Sequence, residues 1–235
     1  MQQTGIIQNS RLLSFLSMFT SPLATLCSLR EQPQWLYPAL FSAIVTVAAN
    51  LYVIQRVGLA RLIEAALEAK AIIDPQGAIQ FVLAHQDRIL CFQSASIFVN
   101  VFVLVLVTAK VLWLLLTLFG YDISFKKILA IVTHANMPPA IIRSCMTALT
   151  AAVIRDVRTL DLKNPLATNI AFFLQPTSSA AFRILSSLDA ITLLNIGLLI
   201  IGLTRVCSNL SARSASLMVL IPWTIYIGAT LLLPL

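Results

Sequence analysis

The chain has 235 residues, of which 59% are hydrophobic and 11% charged, with a mean hydropathy of +0.91. A water-soluble domain averages about a quarter charged residues, so this composition excludes an ordinary soluble fold and describes a chain made for a bilayer. Sixteen Lys and Arg against nine Asp and Glu leave +7 at pH 7; because the basic residues are scattered through connections, they predict anchoring at anionic lipid headgroups and no nucleic acid partner.

In chain order, residues 1–34 read as a tail and an interfacial helix. Residues 1–10 are polar and have no cationic n-region, so no signal peptide is expected there. From 11 to 29, Leu12, Phe15, Leu16, Phe19, Leu23, Leu26 and Leu29 recur at helical spacing, while Ser14, Ser17, Thr20 and Ser21 interrupt the apolar run. That pattern predicts a helix lying in the membrane interface and broken at Pro22, in pieces too short to span. Trp35 and Tyr37 then suit the headgroup level, and a first span is expected over 35–54, with Ser42, Thr46 and Ala49 as its close-packing face.

The connection 55–90 is the most polar part of the chain, with Arg56, Arg61, Glu64, Glu68, Lys70, Asp74, Asp87 and Arg88. It predicts two amphipathic helices, the second capped by Asp74, started by Pro75 and able to run on toward the next span. His85 lies there with no ligand partner nearby and reads as a solvated histidine.

The centre of the chain is a hairpin. A second span is expected over 96–119, carrying Lys110 as its one charge, and a third over 127–153, carrying His134, Asn136, Pro138, Pro139 and Arg143. Measured from the turn at Tyr121, Lys110 lies about 15 Å deep, His134 about 10 Å and Asn136 about 13 Å. Pro138 and Pro139 donate no backbone hydrogen bond, which leaves the carbonyls of His134 and Ala135 without their usual partners. Lys110 is therefore expected to donate to them, as a structural lysine bracing a proline-kinked helix.

The connection 155–185 is broken at Asn164-Pro165 and Pro176-Thr177, with a short interfacial helix expected at LATNIAFFL (166–174). Ser178 or Ser179 is expected to cap a helix that runs unbroken into the fourth span, 187–204. A polar turn at 205–213 precedes the last span, 213–233. Five spans put the chain ends on opposite sides of the membrane, and the count of Lys and Arg in the connections does not set the direction.

Asp189 is the sole carboxylate in any predicted span. Arg143, about 16 Å from the end of the third span, can snorkel toward the surface where the fourth begins. The two are expected to form a structural ion pair fastening these helices. No glycine-rich phosphate loop, paired metal ligands or activated nucleophile is visible. Cys27, Cys91, Cys145 and Cys207 stand far apart without a CxxC, so no metal, cofactor or disulfide framework is expected.

Three stretches carry a family resemblance. MFTSPLATLCSLREQPQWLYP (18–38) resembles the entry to bacterial-type Yip1 domain proteins. FGYDISFKKILAIVTHANMPP (119–139) is similar to their central segment, and NPLATNIAFFL with SSLDAITLLNIGLLIIGL (164–174 and 186–203) to their fourth-span signature. The resemblance implies an all-α, polytopic integral membrane protein with five transmembrane helices, a cytoplasmic N-terminus and no known catalytic activity. Eukaryotic relatives work with Rab-type GTPases and vesicle machinery between endoplasmic reticulum and Golgi, and some bacterial relatives accompany ABC transporters. The chain lacks the Asp-Leu-Tyr-Gly-Pro motif of the eukaryotic branch, so a bacterial inner membrane is expected before an endoplasmic reticulum or Golgi one.

The expected function is that of a non-enzymatic accessory protein, in contact with the lipid bilayer and packed against another integral membrane protein, an ABC transporter permease being the candidate. One alternative is a small transporter or channel with a polar path through Lys110, His134, Asn136, Arg143 and Asp189. Another is a membrane-shaping or vesicle-trafficking factor using the interfacial helices at 11–29 and 57–90. The small-residue stripe Ser144, Ala148 and Ala152 leaves a homo-oligomer open, although such stripes more often serve internal packing.

Overall fold

In hydrocarbon a backbone must satisfy its own hydrogen bonds, and a helix does this within one segment. The computed structural model describes residues 14–69, 75–154, 166, 168, 169, 171 and 180–232, and it is helical apart from turns and one isolated bridge. A 3₁₀ turn, Ser14–Phe19, precedes α1 (Pro22–Ser28), α2 (Leu36–Val57) and α3 (Leu59–Ala69). Then follow α4 (Pro75–Ala84), α5 (Gln86–Leu118) and α6 (Phe125–Val153), and after the second long connection α7 (Ala180–Ser187), α8 (Ala190–Val206) and α9 (Ala212–Leu232).

Local chemistry sets the turns. Gly120 takes φ +82 just past the end of α5, where the Gly120 N–H donates to the Thr117 carbonyl and the Tyr121 N–H to that of Leu116. This is the glycine-terminated C-cap that closes a helix through a left-handed residue. Trp113 secures the same turn, donating from Nε1 to the Ile123 carbonyl at 3.1 Å, with its ring edge-on to Phe125. Gly58, also at positive φ (+90) but with ψ 133, ends α2 while its N–H still donates to the Ile54 carbonyl at 2.8 Å.

Helix α6 is the axis of the bundle. From Ile128 to Pro139 every residue is buried except Asn136, which is half-buried. α2 packs along it in parallel, as the contacts of Thr46 with Ser144 and of Arg56 with the Ile154 carbonyl show. α5 and α8 pack antiparallel, α5 burying Val105, Ala109, Leu112 and Leu116. α8 crosses α6 closely at Gly202, where an added Cβ would stand 2.6 Å from Ile131 Cγ2.

Among the described residues three helices are long and apolar enough to cross a membrane, Leu36–Val57, Gln86–Leu118 and Ala212–Ala229. α6 has the length, with 29 residues, but carries Lys126, Lys127, His134, Arg143 and two prolines, and α8 has 17 residues. Hydropathy records which helix face meets lipid, and α6 meets mostly protein. Ala130, Ala135 and the two prolines suit close packing better than a greasy surface.

Several expectations need correction. In the N-terminal segment, expected as an interfacial helix, Met18, Leu26 and Leu29 are buried in the bundle core, with α1 against α8, while Leu16, Phe19 and Leu23 stay exposed. An apolar stripe cannot tell by itself whether lipid or protein will cover it. The helix expected to run unbroken from Ser178 or Ser179 through the fourth span instead breaks at Leu188 and Asp189. The Ala190 N–H donates to the Thr168 carbonyl, and Asn169 forms an antiparallel bridge with Asp189. That bridge also opposes a helix through Asn169, while the rest of the expected helix at 166–174, beyond Leu166, Thr168 and Ala171, falls outside the described residues, as do the capping side chain of Asp74 and Lys70.

Candidate functional site

The ionisable side chains expected within the spans, Asp189 with Arg143, Lys110 and His134, occupy three environments. At the first, Asp189 is 5% exposed and begins α8, its Oδ1 accepting from the Ile191 N–H at 3.1 Å. Its Oδ2 accepts from Arg143 Nη2 at 2.5 Å, and the same nitrogen lies 3.4 Å from Thr192 Oγ1. Arg143 and Asp189 are thus brought together across α6 and α8, as their depths along the chain lead one to expect. The carboxylate also caps the helix, a second role that its place after Ser-Leu makes readable only once the break at 188–189 is known.

The second environment belongs to Lys110, and it corrects the expected contact with the proline-freed carbonyls. Lys110 is exposed, and its Nζ lies 4.1 Å from the centroid of the Trp113 ring and 5.7 Å from that of Phe125. Lys110 lies on a different face from the one expected: α5 buries Ala109, and Lys110 stands about 100° further round the helix. The ammonium therefore turns along the outside toward the Tyr121 end, where an aromatic face stabilises it.

His134 is the third, packed at 3% exposure with Nδ1 2.9 Å from the Ala130 carbonyl. A carbonyl only accepts, so Nδ1 carries the proton. Pro138 and Pro139 are buried on the same helix, which continues as α-helix through both.

Arg143 and Thr192, together with further polar side chains, also gather around a cavity of about 250 Å3 between α2, α5, α6 and α8. Ser42, Thr133, Asn136, Arg143, Thr192 and Asn195 line it. Lys110, His134 and Asp189 do not, so of the five polar residues expected to share a path Asn136 and Arg143 line the cavity, Asp189 is held beside it by Arg143, and the lysine and histidine stand apart. Thr133, Thr192 and Asn195 were not singled out in the sequence. Asn195 carried a signal, being an amide inside the run ITLLNIGLL, where an unpaired polar group is costly. Its Oδ1 is buried without a hydrogen-bond partner among the described residues.

Among the described residues no three His, Cys, Asp or Glu side chains come together as metal ligands, and all four cysteines are free thiols. Ser144, from the small-residue stripe, is used inside the bundle, meeting Thr46 at 3.3 Å. Among the described residues the geometry offers an internal ion pair, a cation on an aromatic shelf and a partly polar cavity.

No curated protein and no solved structure matches this chain. The model of the Yip1 domain matches residues 16–233. That span takes in all but the first two residues of the described chain, including the central hairpin and the two last helices. The chain belongs to the Yip1 domain family.

Proposed function

We propose that the protein is a non-enzymatic membrane accessory protein that packs against another integral membrane protein. On this reading α2, α5, α6, α8 and α9 cross the bilayer five times, with the N-terminal side in the cytoplasm. The observation that carries it lies at the start of α5. This helix has 33 residues, about 50 Å at 1.5 Å per residue, whereas the hydrocarbon core is about 30 Å thick. Roughly a dozen residues therefore project beyond it, next to α4, and there Phe81, Leu83 and Phe92 are 63%, 45% and 77% exposed. Aromatic side chains left uncovered beyond the hydrocarbon are characteristic of an interaction site.

An ABC transporter permease is the partner class that fits the family's bacterial branch, and a bacterial inner membrane is the corresponding location. The endoplasmic reticulum or Golgi membrane with a trafficking role is the alternative. A photo-crosslinking amino acid at Phe92 in native membranes should give one discrete adduct with a membrane protein that also co-purifies in fixed stoichiometry. Adducts with lipid alone, or with a second copy of this chain alone, would overturn the accessory reading.

The cavity favours a second reading, a small transporter. Under it, reconstituted vesicles should show a solute flux that disappears in Asn136→Leu. The accessory reading expects no flux to begin with.

A further inference from the structure

We propose that the cavity between α5 and α8 binds, from the side and out of the bilayer, an uncharged long-chain lipid carrying one or two hydroxyl groups. The cavity sits at mid-height on α6. Thr133 is about 12 Å along the helix from Phe125, and Arg143 about 15 Å from Val153. A phosphate or carboxylate at that level would bear a large desolvation cost. Among the described lining residues the cation is Arg143, which already holds Asp189, so the pair presents no net charge to a ligand.

What the cavity does present is hydrogen bonding. The buried Asn195 Oδ1 has no donor among the described residues, and Asn136 adds a second amide to the same wall. An unpaired amide oxygen in an apolar layer costs free energy until a donor reaches it. A hydroxyl supplies a donor and an acceptor together and carries no charge to the midplane.

The rest of the wall is apolar, and the side is open. α5 and α8 make no substantial contact with each other among the described residues. Leu104, in the cavity wall, is 56% exposed, and the Arg143 side chain 53%. A hydroxyl-bearing head of about 250 Å3 or less can enter while its acyl chain leaves past Leu104 into the bilayer. Water alone would also satisfy the amides, so the test separates the two.

The full chain in phosphatidylcholine nanodiscs is photolabelled with a diacylglycerol carrying a diazirine in one acyl chain. Adducts should concentrate on α5 and α8 around Val101, Leu104 and Thr192. Unlabelled dioleoylglycerol should compete, and dioleoyl phosphatidylglycerol should not. The Asn136→Leu, Asn195→Leu double variant should weaken that competition about tenfold, equivalent to about 1.4 kcal/mol. Labelling spread evenly over outward residues such as Val99, Val107 and Ile225 would overturn the proposal. Equal competition by the anionic lipid would overturn the uncharged assignment, and unchanged competition in the double variant would overturn the role of the two amides in holding the hydroxyl. The two competition arms use the unaltered protein, so they decide the matter even if the double variant does not fold.

Discussion

Asp189→Ala should be among the most destabilising single substitutions in the chain, lowering stability by about 2–4 kcal/mol. Two losses combine. The Ile191 N–H at the start of α8 loses its acceptor at 3.1 Å, and removal of an N-cap acceptor costs about 1 kcal/mol. Arg143 loses its counter-charge at 2.5 Å. A fully buried cation stripped of its partner would cost about 3–5 kcal/mol, but the Arg143 side chain is 53% exposed and can reorient, so the lower part of that scale applies. Asp189→Asn keeps an acceptor for the cap and should lose less than the alanine variant. Arg143→Gln combined with Asp189→Asn should recover part of the two separate losses, by about 0.5–3 kcal/mol of coupling. The melting temperature of the detergent-extracted protein reads all four variants. Strict additivity of the two singles would show that the contact contributes nothing, and equal losses for the alanine and asparagine variants would remove the capping role.

Gly202→Val should disrupt the crossing of α6 and α8. At this position even a Cβ would stand 2.6 Å from Ile131 Cγ2 and 3.3 Å from Leu26 Cδ2. Ile131 cannot give way readily, because a β-branched side chain on a helix is held in one rotamer and this one is fully buried. The helices must separate instead, and overpacking of that kind costs about 1–3 kcal/mol, with valine's added methyls placing it at the upper end. Gly202→Ala should be milder, and Ile131→Ala, which removes the clashing methyl, should restore part of the valine variant's loss. Gly197 is the control on the same helix: a Cβ there meets nothing within 4 Å, so Gly197→Val should change the melting temperature little. If Gly197→Val and Gly202→Val behave alike, the close approach at Gly202 is not what limits packing.

The layers of this protein were easier to read from its residues than the faces. Charges and amides inside apolar runs are conspicuous, and a rise of 1.5 Å per residue sets their depth, which is why Arg143 and Asp189 could be matched across 46 positions of chain. Rotation about the helix axis was not readable for α5. Valine and leucine surround it on every side, so nothing in the pattern distinguishes the buried row of Val105, Ala109, Leu112 and Leu116 from the face that bears Lys110. The N-terminal helix posed the same difficulty, since Leu26 and Leu29 look alike whether lipid or α8 covers them. The break before α8 depends on a backbone hydrogen bond from Thr168, a tertiary contact that local propensity does not contain. The cavity escaped notice because Thr133, Asn136, Thr192 and Asn195 come from two helices whose register is set only by packing. The family, by contrast, was legible in three ordered motifs.

The reading of the whole chain turns on whether α6, buried by its neighbours and too polar to look like a span, crosses the membrane. Single cysteines at Asp122 and Val153 bracket it; both positions are exposed, Val153 by 71%. The background needs Cys27, Cys91 and Cys145 replaced, since these thiols are exposed. Cys207 can remain, because burial pushes its thiol up to about 11, against a weaker downward pull from Lys127. Near neutral pH it stays protonated and reacts slowly. A membrane-impermeant maleimide applied to sealed vesicles should reach Asp122→Cys from one side and Val153→Cys only from the other. Asn209→Cys should behave as Asp122→Cys does, and Gln86→Cys as Val153→Cys. Labelling of Asp122→Cys and Val153→Cys from the same side would mean that α6 does not span, and the five-helix account would fail with it.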